Sequence, residues 1–196
     1  MSFTIVDIET TGLSPYYHKI TEIAALRYEN GKVEKEFSTL VNPGVHIPRF
    51  ITTLTGIDDE MVKDKPTIDQ VIPKFHSFLG DSAFVAHSAS FDYKFLDHAV
   101  RTTTGIRLDN HSICTCKLAR RLLPQLSSRK LANLCSHFNV KNDRAHRAMG
   151  DVKATAEIFH NFLCMLKERQ IESVEDIVNL QKSKIPKVYN PMILPR

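Results

Sequence analysis

Four acidic side chains and one histidine, Asp7, Glu9, Asp92, His146 and Asp151, carry the chemistry that can be read from this 196-residue chain. Asp7 and Glu9 lie in TIVDIETTG at the amino terminus. In an extended strand successive side chains alternate faces, so these two carboxylates project from one side. Thr4, Val6 and Ile8 occupy the other face, and Phe3 and Ile5 precede the acids on their own. The carboxylates therefore come at the end of an apolar strand. Two like charges at the mouth of a core repel and resist desolvation. A bound divalent cation removes that cost, so the pair reads as half of a metal site.

Asp92 and Asp151 are the candidates for the other half. Asp92 lies in AFVAHSASFDYKFL, where an apolar strand at 83–86 gives way to a helix opening near Ser90. Asp151 lies in AHRAMGDVKATAEIF, near the start of an amphipathic helix, with Thr155, Ile158 and Phe162 below it at helical spacing. The donors are all oxygen, which suits magnesium or manganese. Two such ions, roughly 3.5–4 Å apart, are an apparatus for displacement at phosphorus. His146, five residues before Asp151, could take the proton from an attacking water. Taken singly the residues say less. A lone Asp-x-Glu is more often a solvated strand end, and a lone Asp92 could simply complement a helix dipole.

The order Asp-x-Glu, then Asp, then His-x4-Asp resembles the DEDDh (DnaQ-like) exonuclease family, which includes the proofreading exonucleases of bacterial replicative DNA polymerases. The resemblance is carried by DIETTGL at 7–13, LTGIDDEMV at 54–62, VAHSASFDYKFL at 85–96, CTCKLARRLLP at 114–124 and AHRAMGDVKAT at 145–155. Together these span about residues 3 to 165. The resemblance implies that Asp7 bridges two ions, Glu9 and Asp151 complete their shells, Asp92 acts near the second ion and His146 is the general base. It also implies contacts to the terminal nucleotide from Thr10, Thr11 and Leu13, through backbone groups and an apolar wedge. Ser88 stands where the family most often has asparagine, putting a shorter hydrogen-bonding group near Asp92.

The activity so implied is 3′–5′ exonuclease action on DNA in proofreading or repair, releasing nucleoside 5′-monophosphates. Its partners would be single-stranded DNA with a 3′ end, and a DNA polymerase subunit or a further domain after the tail. An RNA-trimming enzyme of the same family remains open. So does a non-catalytic exonuclease-like module that binds nucleic acid or a polymerase.

Charge is unevenly placed. Residues 182–196 carry Lys182, Lys184, Lys187 and Arg196 with no acid, which accounts for the whole formal +4. Within the neutral remainder, positions 112–150 hold Lys117, Arg120, Arg121, Arg129, Lys130, Lys141, Arg144 and Arg147 against the single acid Asp143. An acidic metal site repels a polyanion unless cations gather its phosphates, so this stretch is a candidate track for the strand. Cys114 and Cys116 form a C-x-C pair without a second pair, and read as core thiols rather than a zinc site. The chain runs straight into a strand, with no basic leader followed by an apolar segment. A cytoplasmic protein is expected, with no membrane association.

The elements that must position these residues form an α/β pattern. Strands are expected at 3–9, 19–29 and 32–41, the last two joined by Asn30-Gly31, then at 83–87 and 111–115. Helices are expected at 67–79, 90–104, 116–123, 129–138, 148–169 and 173–181, with a short one in 42–66 whose first turn is Asp58, Asp59 and Glu60. The pattern resembles a ribonuclease-H-like fold, with a five-stranded mixed central sheet flanked by helices. Residues 1–181 read as the exonuclease domain and 182–196 as a basic, proline-containing tail or linker. QKSKI at 181–185 faintly resembles a sliding-clamp-binding peptide, though a plain linker fits it better.

Overall fold

The structure is a computed structural model that describes residues 1–143 and 145–186. Arg144, Lys187 and Arg196, and with them most of the expected tail, lie outside the described residues. The chain runs β1 (Ser2–Thr10), β2 (Ile20–Glu29), β3 (Lys32–Leu40), α1 (Arg49–Thr55), α2 (Asp59–Val62), α3 (Ile68–Leu79), β4 (Ala83–Ala86), α4 (Ser90–Thr104), β5 (Ser112–Cys114), α5 (Thr115–Leu122), α6 (Leu131–Phe138), α7 (Ala148–Lys167) and α8 (Val174–Lys182). The sheet order is β3-β2-β1-β4-β5. β1 pairs antiparallel with β2 and parallel with β4, which makes the sheet mixed, as expected.

Strand alternation divides the core into two layers. Phe3 and Ile5 of β1 pack with Phe159 and Phe162 of α7, and with Leu118 and Leu134 of α5 and α6. Val6 and Ile8 face the other way, onto Phe75 and Leu79 of α3 and Phe95 and Leu96 of α4. Asp7 and Glu9 continue the Phe3–Ile5 face, so they emerge on the side covered by α7. α4 belongs to the opposite layer and begins after β4, where the two parallel strands end. Helix starts from both layers thus converge on the carboxyl end of the central strand, where open α/β sheets place their ligands.

Local chemistry explains the ends. Asn30 and Gly31 have φ of 50° and 84°, the two left-handed positions of a tight hairpin turn. Gln70 Oε1 accepts from the Thr67 N–H at 3.0 Å ahead of α3. Asp58 Oδ1 accepts from the Met61 N–H at 2.8 Å, so the expected acidic first turn caps α2. β3 is an edge strand whose Lys32, Glu34, Lys35 and Glu36 are exposed, which discourages pairing with another chain.

The opposite edge is covered by α8. Gln181, buried, accepts from the Cys114 N–H at 2.8 Å and donates to the Ser112 carbonyl at 2.6 Å. Its side-chain amide substitutes for a neighbouring strand and is not free to lead a docking peptide. All four cysteines are free, with Cys114 and Cys135 buried. No helix among the described residues is long and apolar enough to cross a membrane.

Candidate active site

β1 delivers Asp7 and Glu9, and the first turn of α7 delivers Asp151. One carboxylate oxygen from each lies within 4.8 Å of the other two, the arrangement that a shared cation requires. Asp92, in the first turn of α4 and 3% exposed, stands outside this trio. It is nonetheless the largest charge acting on Asp7, and its carboxylate accepts backbone N–H bonds from Ile8 and from itself. Three of the four expected ligands are therefore assembled and the fourth is adjacent.

Burial is the main cause of the electrostatics here, and mutual repulsion adds to it. Asp7 is pushed well above the carboxylate range by desolvation, then by Asp92, Glu9, Asp151 and Glu22. Glu9 is raised to about 8 by burial and by Asp151, Glu22 and Asp92, with Arg147 opposing. Asp92 is raised to about 7 by burial, against its two backbone hydrogen bonds. Acids that hold protons near neutrality for want of a counter-charge are a good fit for a hard divalent cation. The donor set is all oxygen, and among the described residues no lysine or arginine pairs with a carboxylate of the trio.

Two residues that pattern reading missed hold Asp151 in place. Asn142 Nδ2 donates to Asp151 Oδ1 at 2.6 Å. Glu22 lies opposite Glu9 in the β1–β2 register and is only 4% exposed. Its carboxylate accepts from Arg147 Nη2 and Nε at 2.8 and 3.2 Å, and from the Ala148 N–H at 3.0 Å. A fifth acid is thereby neutralised and the start of α7 is pinned to β2. Arg147, counted above among cations free to gather phosphates, is instead committed to Glu22. The signal is structural: β2 is buried on both faces, and a charge in such a strand needs a partner.

His146 is exposed with φ of 63°, a left-handed conformation uncommon outside glycine though histidine adopts it more readily than most. Its backbone N–H donates to Asp151 Oδ2 at 3.1 Å, and among the described residues its ring makes no hydrogen bond. Thr10 and Thr11 are buried and spend their hydroxyls on the loop after β1. Thr10 Oγ1 donates to the Gly12 carbonyl at 2.6 Å, and Thr11 Oγ1 accepts from the Lys19 N–H at 3.0 Å. The Thr11 N–H is committed as well, donating to the Lys19 carbonyl at 2.8 Å. A Cβ on Gly12 would meet the His18 ring at 2.2 Å, so the same loop requires glycine there. Leu13 is held outward, 84% exposed. Ser88 has φ of 66°, a conformation that asparagine tolerates better than serine, and its hydroxyl makes no bond to Asp92.

The chain is similar to known proteins over most of its length. The RNase T exonuclease family model matches residues 4–159. The chain is 45% identical over 175 residues to the PolC-type DNA polymerase III of Caldanaerobacter subterraneus, covering 89% of this chain and 12% of that protein. It is 38% identical over 162 residues to the DNA polymerase III epsilon subunit of Aquifex aeolicus, covering 83% of this chain and 80% of the subunit. The chain thus spans about an eighth of its PolC-type relative and most of the epsilon subunit. Exonuclease X, solved with 5′-overhanging duplex DNA, superposes with a TM-score of 0.74 at 29% identity, over 91% of this chain and 99% of that one. Escherichia coli exonuclease I, with a dT13 oligonucleotide, gives a TM-score of 0.76 at 18% identity over 86% of this chain and 42% of its own, a likeness of fold alone. The fold is the ribonuclease-H-like fold of these exonucleases, and the chain belongs to the RNase T exonuclease family.

Proposed function

We propose that this exonuclease removes nucleotides from the 3′ end of single-stranded DNA, in a proofreading or repair setting, as nucleoside 5′-monophosphates. The observation that carries the reading is the cluster of Asp7, Glu9 and Asp151, with their oxygens within 4.8 Å and Asp92 beside them. These residues would hold two divalent ions, magnesium or manganese. Bound there, such ions supply the positive charge that acidifies water and stabilises a departing oxygen.

The chain's own residues do the rest. Asn142 and the His146 N–H fix the Asp151 carboxylate from two sides. Glu22 and Arg147 set where α7 and the adjoining His146 begin. The His146 imidazole, exposed at the rim, takes the proton from water, a role worth about 10²–10⁴ in rate. The Leu13 side chain and the backbone of Thr10 and Thr11 meet the terminal nucleotide, and the loop that carries them is fixed before substrate arrives. The relationship to polymerase III proteins supports DNA as substrate, a cytoplasmic setting and a polymerase subunit or further domain as partner.

The test uses 5′-labelled single-stranded DNA and matched RNA, in magnesium or manganese, with and without EDTA. A metal-dependent ladder that shortens from the 3′ end of the DNA is expected. Faster shortening of the RNA would move the substrate class to RNA. Cleavage within a circular substrate, or none at all by the folded protein, would overturn the reading.

A further inference from the structure

The basic stretch before the His146 segment is not a uniformly charged surface. Arg147 is paired with Glu22, and Arg121 donates from Nε to the Ser183 carbonyl at 3.1 Å. Arg120, Arg129 and Lys130 form no ion pair among the described residues. All three line one open cavity of about 660 Å³, together with the hydroxyl-bearing Ser127 and Ser128, and no acid lines it.

Its inner wall is His87 and Ser88, the turn that leads into α4 and Asp92. His87 Nδ1 is 2.9 Å from Thr115 Oγ1, and its ring also bonds the Arg129 backbone while lying within the field of Asp151. The cavity therefore borders the acidic cluster across one histidine. Arg129 is fixed from behind: its Nη2 donates to the Pro124 carbonyl at 2.7 Å, and among the described residues its Nη1 donates to nothing. An anchored guanidinium with a spare Nη1, two further cations without ion-pair partners and the Ser127 hydroxyl suit an anionic oxygen ligand, while the Ser128 hydroxyl donates to Asn133 Oδ1 at 2.9 Å.

We propose that this cavity is a phosphate subsite, seating backbone phosphates of the strand whose terminal phosphodiester lies at the acidic cluster. It rests on the exonuclease reading and sharpens it. The acids repel the polyanion, and this cavity supplies the attraction that holds it beside them. Binding here reads charge and not sequence, because its donors match phosphate oxygens.

The experiment compares two substrates on the double variant Arg120→Glu, Lys130→Glu, both positions being exposed. One substrate is a single strand of about 12 nucleotides, long enough to reach beyond the cleaved bond. The other is the p-nitrophenyl ester of thymidine 5′-monophosphate, which has one phosphate and cannot reach the cavity. The ratio of kcat/KM for the strand to that for the ester should fall about 10–100-fold. The dependence of log KM for the strand on log salt should flatten by about 1.4, two contacts at roughly 0.7 each.

An unchanged ratio and salt slope would overturn the subsite, including the case in which both activities fall together. Arg129→Lys, which keeps the charge but loses the fork, should raise KM for the strand and leave kcat nearer wild type. If the wild type cleaves neither substrate, the exonuclease reading fails separately. The subsite is then decided by fluorescence anisotropy of a labelled oligonucleotide in EDTA. Weaker binding by the double variant supports it and equal binding refutes it.

Discussion

Asp7 and Glu9 lie on the central strand of the sheet, in register with β2 just past its pairing with β4, whereas His146 lies on an exposed segment ahead of α7 with φ at 63°. The acids are placed by core packing: Phe3 and Ile5 on their face are buried against α7, and no loop intervenes. The histidine is placed by a few polar ties, its own N–H on Asp151 and the neighbouring Arg147 on Glu22. The charge that would gather cations therefore belongs to the rigid part of the molecule. The proposed proton acceptor, His146, belongs to the part that can be moved by changing one hydrogen bond. Affinity for metal and rate of proton transfer should respond to different mutations.

Asp7→Asn should break the rigid half outright. Turnover is expected to fall to background while the melting temperature rises, because one of several repelling buried acids has been neutralised. Wild-type turnover in this variant would remove the basis of the comparison. His146→Ala should cost about 10²–10⁴ in rate with Mn²⁺ affinity and melting temperature at wild-type values, since the side chain is exposed. Lost Mn²⁺ affinity would mean that the two regions are not separable. Arg147→Ala should lie between them, with kcat lowered by up to about 10²-fold through misplacement of His146. It should also cost about 2–3 kcal/mol in denaturant unfolding, less than a fully buried pair because the Arg147 side chain is 38% exposed.

The smallest effect is on pH dependence. Glu9 at about 8 and Asp92 at about 7 hold protons in the folded chain that the unfolded chain, with ordinary carboxylates, has already released. Between the ordinary carboxylate range and about pH 8 the folded state binds more protons, so metal-free stability falls as pH rises through that window. The melting temperature in EDTA should drop from about pH 5 to about pH 8, and the gain on adding magnesium should grow over the same range. A flat profile in EDTA would show that the acids are already compensated.

The convergence of Asp7, Glu9 and Asp151 is legible in the sequence because metal binding needs fixed types at short spacings, and the strand and helix that carry them have clear periods. Asp7 and Glu9 sharing a face follows from strand alternation alone. Glu22 was not legible that way, since a single acid in ITEIAALRYE looks like the solvated position of an alternating strand. Only the register opposite Glu9 and the burial of both faces of β2 turn it into a strut for α7. The commitment of the Thr10 and Thr11 hydroxyls to Gly12 and Lys19 is not legible either, because those contacts are set by the return of the chain after the loop. Gln181 looks in sequence like the end of a helix, because nothing in its neighbours signals that an amide must finish the β5 edge.

The most direct test of the acidic cluster as a cation site is a Mn²⁺ titration at pH 7 in weak buffer, with bound metal read by electron paramagnetic resonance and protons by an indicator dye. The wild type should bind Mn²⁺ and release protons as it does so, because Glu9 and Asp92 give up the protons they hold when metal-free. Asp7→Asn should lose both signals. Equal Mn²⁺ binding by that variant, or none by the wild type at millimolar metal, would contradict the account.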